Sequence, residues 1–146
     1  MQENKPKAER LVHSFAIPGE AKLSHLKLDA EVDFDNKQIR ATATYKIEAA
    51  PRAKRIILDI KGLLIKEVQV DGQPTDQFWI GEKVAYLGQP LEIAITDSVK
   101  EISIAYHTSP DAAALQWLMP QQTAGKQHPF LFTQSQAILA RTWIPC

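Results

Sequence analysis

HLKLDAEVDFDN, residues 25–36, alternates without a break: Leu26, Leu28, Ala30, Val32 and Phe34 interleave with Lys27, Asp29, Glu31, Asp33 and Asp35. Side chains of an extended chain point to opposite faces with a period of two. Five apolar positions in that rhythm therefore predict a strand with one face buried and one face wet. Asp35-Asn36-Lys37 has the residue types of a turn. Beyond it QIRATATYKIEAA, residues 38–50, resumes the alternation, with Ile39, Ala41, Ala43, Tyr45 and Ile47 on one side. The two runs predict an antiparallel hairpin.

The middle of the chain continues in the same style. RIILDIKG (55–62) is apolar enough to be a strand covered on both faces, and LIKEVQV (64–70) runs into Asp71-Gly72, a hairpin-turn signal. QFWIGE (77–82) and KVAYLG (83–88) read as short strands parted by Gly81, and Gly88-Gln89-Pro90 breaks the chain again. PLEIAITD (90–97) alternates Leu91, Ile93 and Ile95, and VKEISIAYHTS (99–109) directs Ile102, Ile104 and Tyr106 inward. No window carries a sustained helical repeat. About eight short strands at ~8–12-residue spacing predict an all-β fold, a two-sheet antiparallel or mixed β-sandwich. SPDAAALQWLMPQQTAGKQHP (109–129) breaks the pattern and reads as a long loop facing a partner.

A length of 146 residues suits one domain, and 45% hydrophobic with 23% charged residues is ordinary for a globular chain. Lys plus Arg and Asp plus Glu number 17 each, so no basic stripe points to nucleic acid. No apolar run reaches the ~18–20 residues of a membrane span. Residues 1–12 read as a polar, disordered leader without the apolar centre of a signal peptide, so location stays open. Cys146 is the only cysteine, which excludes a disulfide framework.

His13, His25, His107 and His128 are scattered, and no H-E-x-x-H, G-x-S-x-G or phosphate-binding glycine loop occurs. The chain offers no metal ligand set and no complete active site. In FLFTQSQAILARTWIPC (130–146) an extended backbone would direct Gln134 and Gln136 to one face. From the spacing alone, the two carboxamides either serve a site or face solvent and satisfy loop backbone.

The stretch ALQWLMPQQTAGKQHPFLFTQSQAILARTWIPC (114–146) resembles the end of the N-terminal domain of zinc aminopeptidases of the aminopeptidase N family. The branch is that of leukotriene A4 hydrolase and aminopeptidase B. Leu115-Gln116-Trp117-Leu118, Gly125-Lys126, His128-Pro129, Thr133-Gln134-x-Gln136-Ala137, Arg141 and Pro145-Cys146 carry the likeness, and the hairpin ending in VDF and the DGQ turn fit it. The resemblance implies that residues 13–146 form a saddle-like β domain that packs on a thermolysin-like catalytic domain. It implies that zinc and its ligands belong to that domain, beyond Cys146. This fragment by itself would then hold no zinc and cleave nothing. Gln136 matches a position that reaches the substrate's N-terminal amine, and Gln134 its neighbour in the same pocket. Cys146 and two of the three tryptophans, Trp117 and Trp143, read as structural, and Arg141 as the partner of an acidic group in the catalytic domain. The rival reading is a free-standing β-sandwich binding or adhesion module using the 109–129 loop.

Overall fold

The computed structural model describes residues 13–146; the leader expected over residues 1–12 lies outside them. Ten strands follow in chain order: β1 (Ala21–Asp33), β2 (Gln38–Ala49), β3 (Arg55–Ile60), β4 (Leu64–Val70), β5 (Gln73–Thr75), β6 (Phe78–Ile80), β7 (Gln89–Ala94), β8 (Glu101–His107), β9 (Leu115–Leu118) and β10 (Phe130–Thr133). They form a five-stranded sheet in the order β1-β2-β8-β4-β5, a three-stranded sheet β3-β7-β6 and a two-stranded sheet β10-β9. Every pairing is antiparallel. The all-β sandwich expected from the alternation is therefore the observed architecture.

The turns show why the chain folds back where it does. Asn36 donates from its backbone to Asp33 Oδ1 at 3.0 Å and from its side chain to Asp33 Oδ2 at 2.8 Å, and Lys37 takes a positive φ of 49°. These bonds, the side-chain one first, hold the Asp33 carboxyl below its usual range. Between β4 and β5, Asp71 and Gly72 have φ of 47° and 79°, the left-handed pair that a two-residue hairpin turn requires. Asp71 Oδ1 also accepts the Lys100 and Glu101 N–H groups, each at 3.0 Å, which ties this turn to the start of β8.

The core lies between the two larger sheets. Tyr45, Ile102, Ile104, Tyr106 and Val68 from one meet Ile56, Leu58, Ile60, Leu91 and Ile93 from the other, all less than 2% exposed. Burying each of these aliphatic chains stabilises the fold by on the order of 2 kcal/mol before chain entropy is counted. Burial also pushes the Tyr45 and Tyr106 hydroxyls well above the usual phenol range.

Four expectations need correction. The apolar face of β1 points to the core side, since Val32, Ala30, Leu28 and Leu26 pair with Ile39, Ala41, Ala43 and Tyr45. Yet Leu26 and Val32 stay 39% and 41% exposed, because β1 is an edge strand and three strands cannot cover the width of five. KVAYLG is not a strand but a tight loop closed by the Val84–Gly88 bridge. The 109–129 segment is not an unstructured loop: it contains β9 and a 3-10 turn at Pro120–Gln122, and β9 pairs with β10. The final segment is a strand only to Thr133, after which it turns and ends in a 3-10 turn, Leu139–Thr142.

Gly88 is the most constrained point of the loop. Its φ is +87°, and a Cβ there would lie 2.2 Å from the Ile60 carbonyl oxygen and 2.9 Å from Lys61 Cβ. Both the backbone sign and the space exclude a side chain. Gly88→Ala is expected to cost more than ~2 kcal/mol, read as a lower urea midpoint with an unchanged slope.

Candidate functional site

The candidate site is built at the end of the β9–β10 hairpin. Leu115 is buried, and Trp117 and Leu131 pack against the core; Trp117 also meets Phe34 edge-on at 5.7 Å between ring centroids. Because strand residues alternate, Phe130 and Phe132 fall on the opposite face, 54% and 46% exposed. The ladder runs one residue past β10, with Gln134 N–H donating to Ala114 O at 2.9 Å. There regular pairing stops.

Past Thr133 the chain belongs to no regular element until Leu139. The Gln134 side chain is tied to the following backbone: its amide oxygen accepts the Gln136 N–H at 3.1 Å. The peptide between Gln136 and Ala137 is cis. Both glutamines are exposed, and within the described residues no hydrogen bond occupies the Gln136 amide. One carboxamide thus has its oxygen partly committed to the turn, while the other is open to solvent.

The segment that follows fixes this turn from beneath. Leu139 N–H donates to Ser135 O at 2.9 Å, and the Trp143 indole N–H donates to Ser135 Oγ at 3.0 Å. Thr142 Oγ accepts the Ala114 N–H at 3.1 Å and donates to Leu139 O at 2.7 Å.

Arg141 departs from its expected role. Its guanidinium is buried within this domain and donates to the carbonyl oxygens of Leu87 (2.7 Å), His13 (2.7 Å) and Ile138 (3.0 Å). Its ionic partner is Asp59 at 3.6 Å, with side-chain exposures of 6% and 5%. Asp59 also accepts the Ser14 hydroxyl at 2.5 Å and the Phe15 N–H at 2.7 Å. This polar hub joins the residues before β1, strand β3, the Gly88 loop and the chain's last turn. Sequence reasoning missed it, although an Asp inside the apolar run RIILDI was a visible signal: a carboxylate there needs a buried partner.

Cys146 sits beside the hub, exchanging backbone bonds with Asp59 at 2.5 and 3.1 Å. Although the residue keeps solvent contact, its thiol pKa is raised, by burial first and the Asp59 charge second, with Arg141 opposing. A raised pKa removes the thiolate that a nucleophile needs.

Zinc would need three or more converging donors. Among the described residues no three His, Cys, Asp or Glu side chains come together in that way. Nor, among these residues, is any helix long and apolar enough to cross a membrane.

The family described as the Peptidase M1 N-terminal domain matches residues 22–146. The chain belongs to that family. Relatives of this M1 N-terminal domain include a leukotriene A-4 hydrolase of Xenopus laevis, 39% identical over 139 residues, covering 91% of this chain and 23% of that protein. A leucine aminopeptidase 2 of Yarrowia lipolytica is 41% identical over 118 residues, 79% of this chain and 18% of that protein. The chain thus spans about a fifth of the relatives it matches. A yeast leukotriene A4 hydrolase solved with bestatin superimposes with a TM-score of 0.84 at 28% identity, over 100% of this chain and 23% of that one. An M1 zinc metallopeptidase of Deinococcus radiodurans, at 18% identity and a TM-score of 0.61, shares the fold.

Proposed function

We propose that this M1 N-terminal domain supplies one wall of the substrate-amine pocket of a zinc aminopeptidase, with Gln136 as the acceptor that faces the peptide's N-terminus and Gln134 beside it. The observation that carries this reading is the Gln136 carboxamide: it is exposed and unengaged, on a turn whose backbone is held from three sides. An exopeptidase must hold an α-ammonium at a fixed distance from the reacting centre, and a carboxamide oxygen accepts a hydrogen bond from it without adding charge. The Gln134 oxygen already serves the Gln136 N–H, so the two residues divide the work: Gln134 shapes the turn and keeps its amide N–H groups available, and Gln136 presents the acceptor.

The partner is the catalytic domain of the same polypeptide, which also supplies the zinc. Exposed apolar surface supports that docking: Leu26 and Val32 on β1, Phe34 in the turn after it, and Met119, Phe130 and Phe132 on the hairpin, are each at least 39% exposed. Apolar surface of this kind marks a face that another surface covers.

The test uses the full-length enzyme and an aminoacyl 4-nitroanilide, compared with its N-acetyl derivative. Acetylation removes the ammonium and leaves the scissile bond unchanged, so the expected result is turnover of the free amine and at least about a hundredfold less of the acetylated compound. Equal turnover of the two would remove the basis for an amine pocket.

A further inference from the structure

We propose that the hydrogen bond from Trp143 to Ser135 is a clamp that sets the position of the glutamine turn, making Trp143 a positioning residue for substrate amine binding. The inference rests on the amine-pocket reading of Gln136. It begins from how the turn is held. Residues 134–138 belong to no strand or helix, and beyond Gln134 no ladder bond orders them. Backbone bonds fix the two ends, Gln134 to Ala114 and Leu139 to Ser135. Between the glutamines stands Ser135, and its hydroxyl is reached by one side chain, the Trp143 indole N–H at 3.0 Å.

Trp143 is suited to hold rather than merely fill. Its ring packs against the core, while its N–H points away from that core to the turn. An indole N–H only donates, so its direction specifies where the serine oxygen must lie. The anchor itself does not drift. Trp143 closes the 3-10 turn with its backbone N–H on Ala140 O at 3.0 Å, and the preceding Arg141 and Thr142 are pinned by the hub and by Ala114. Rigid core, indole, serine and glutamine turn thus form one continuous chain of contacts.

The functional consequence follows from what positioning demands. A binding group is productive only within ~0.5 Å of its target geometry. If the turn loses its clamp, the competent arrangement becomes one of several, and apparent affinity falls by the fraction of time it is occupied. A bond of this kind corresponds to an occupancy loss of about three- to tenfold. The amine contact exists in both the bound ground state and the transition state, so its loss raises KM and leaves kcat in place.

The experiment places Trp143→Phe and Ser135→Ala, singly and together, in the full-length enzyme. Phenylalanine keeps one aromatic ring against the core and loses the pyrrole ring with its N–H, whereas alanine at 135 removes only the acceptor, from a partly exposed position. Each single variant is expected to raise KM for a free-amine substrate about three- to tenfold, with kcat and zinc content unchanged; Ser135→Ala isolates the bond from the packing that Trp143→Phe also loses. The double variant should be no worse than either single one, because both remove the same bond. Additive losses, an unchanged KM, or a fall in kcat with KM constant would each overturn the clamp. Gln136→Ala measured alongside separates the two layers. If Gln136→Ala weakens amine binding and the clamp variants do not, the clamp alone is wrong; if Gln136→Ala has no effect, the pocket reading itself fails.

Discussion

Arg141→Met is expected to lower the stability of the folded chain by about 3–5 kcal/mol, because it leaves three carbonyl groups and the buried Asp59 carboxylate without their donor. For a domain of this size the loss corresponds to on the order of 10 °C in thermal midpoint. The geometry shows where the effect arises. Arg141 reaches Asp59 at 3.6 Å, too long for a strong ionic bond, while its contacts to the Leu87, His13 and Ile138 carbonyls are 2.7, 2.7 and 3.0 Å. Removing the guanidinium therefore orphans three carbonyl groups and leaves Asp59, itself 3% exposed, with only Ser14 and Phe15 as donors. Methionine keeps much of the aliphatic volume, so the change reads polar loss and not a cavity. Adding Asp59→Asn removes the unpaired charge but not the orphaned carbonyls, so the double variant should recover part of the loss and not all. Denaturant titration of the four chains measures this coupling. Full additivity would mean that Arg141 and Asp59 act independently.

Gln136→Ala in the full-length enzyme is expected to lower kcat/KM for free-amine peptides about ten- to a hundredfold, the equivalent of one hydrogen bond to a charged group at 1.5–3 kcal/mol. Zinc content should not change, since the donors that hold the metal lie elsewhere in the polypeptide under this reading. Stability should not change either, because the residue is exposed and its side-chain carboxamide bonds no other described residue. Gln136→Glu should retain activity, for a carboxylate accepts the same hydrogen bond and adds charge attraction. Gln134→Ala acts differently. It removes the acceptor of the Gln136 N–H and so loosens the turn, raising KM by less than the loss of Gln136 does. Metal analysis and steady-state kinetics on the three variants check the set; zinc loss in Gln136→Ala, or unchanged kinetics, would sink the assignment of the acceptor.

What was legible in the sequence follows the range of each interaction. Ile39, Ala41, Ala43, Tyr45 and Ile47 are all buried, as the alternation of β2 requires, and the same holds for Ile102, Ile104 and Tyr106 on β8. Asp71-Gly72 makes the turn that its residue types demand. These are local properties, set by a strand's period of two and by which residues tolerate a positive φ. The count of about eight included KVAYLG, which is a loop, and left out β5, only three residues long, β9, whose segment is rich in prolines and glutamines, and β10 in the final segment. The family resemblance was legible too, since the ordered positions from Leu115 to Cys146 carry it.

The sequence by itself determined the all-β class, the core face of the central strands and the family. Only the tertiary structure decided which predicted faces are covered, who Arg141's partner is and how the glutamines stand. Coverage depends on the width of the opposing sheet, and β1, an edge strand, is covered only in part: Ala21 is buried and Leu28 packs on the core, while Leu26 and Val32 stay exposed. Arg141 finds Asp59 across 82 positions of chain (141 minus 59), a pairing that no periodicity encodes. Past β10 the Gln134 carboxamide oxygen accepts the Gln136 N–H, and the Ser135 hydroxyl is held by Trp143. Side-chain bonds of that kind overrule the period-two rule once the ladder ends, and only three-dimensional proximity shows that they form.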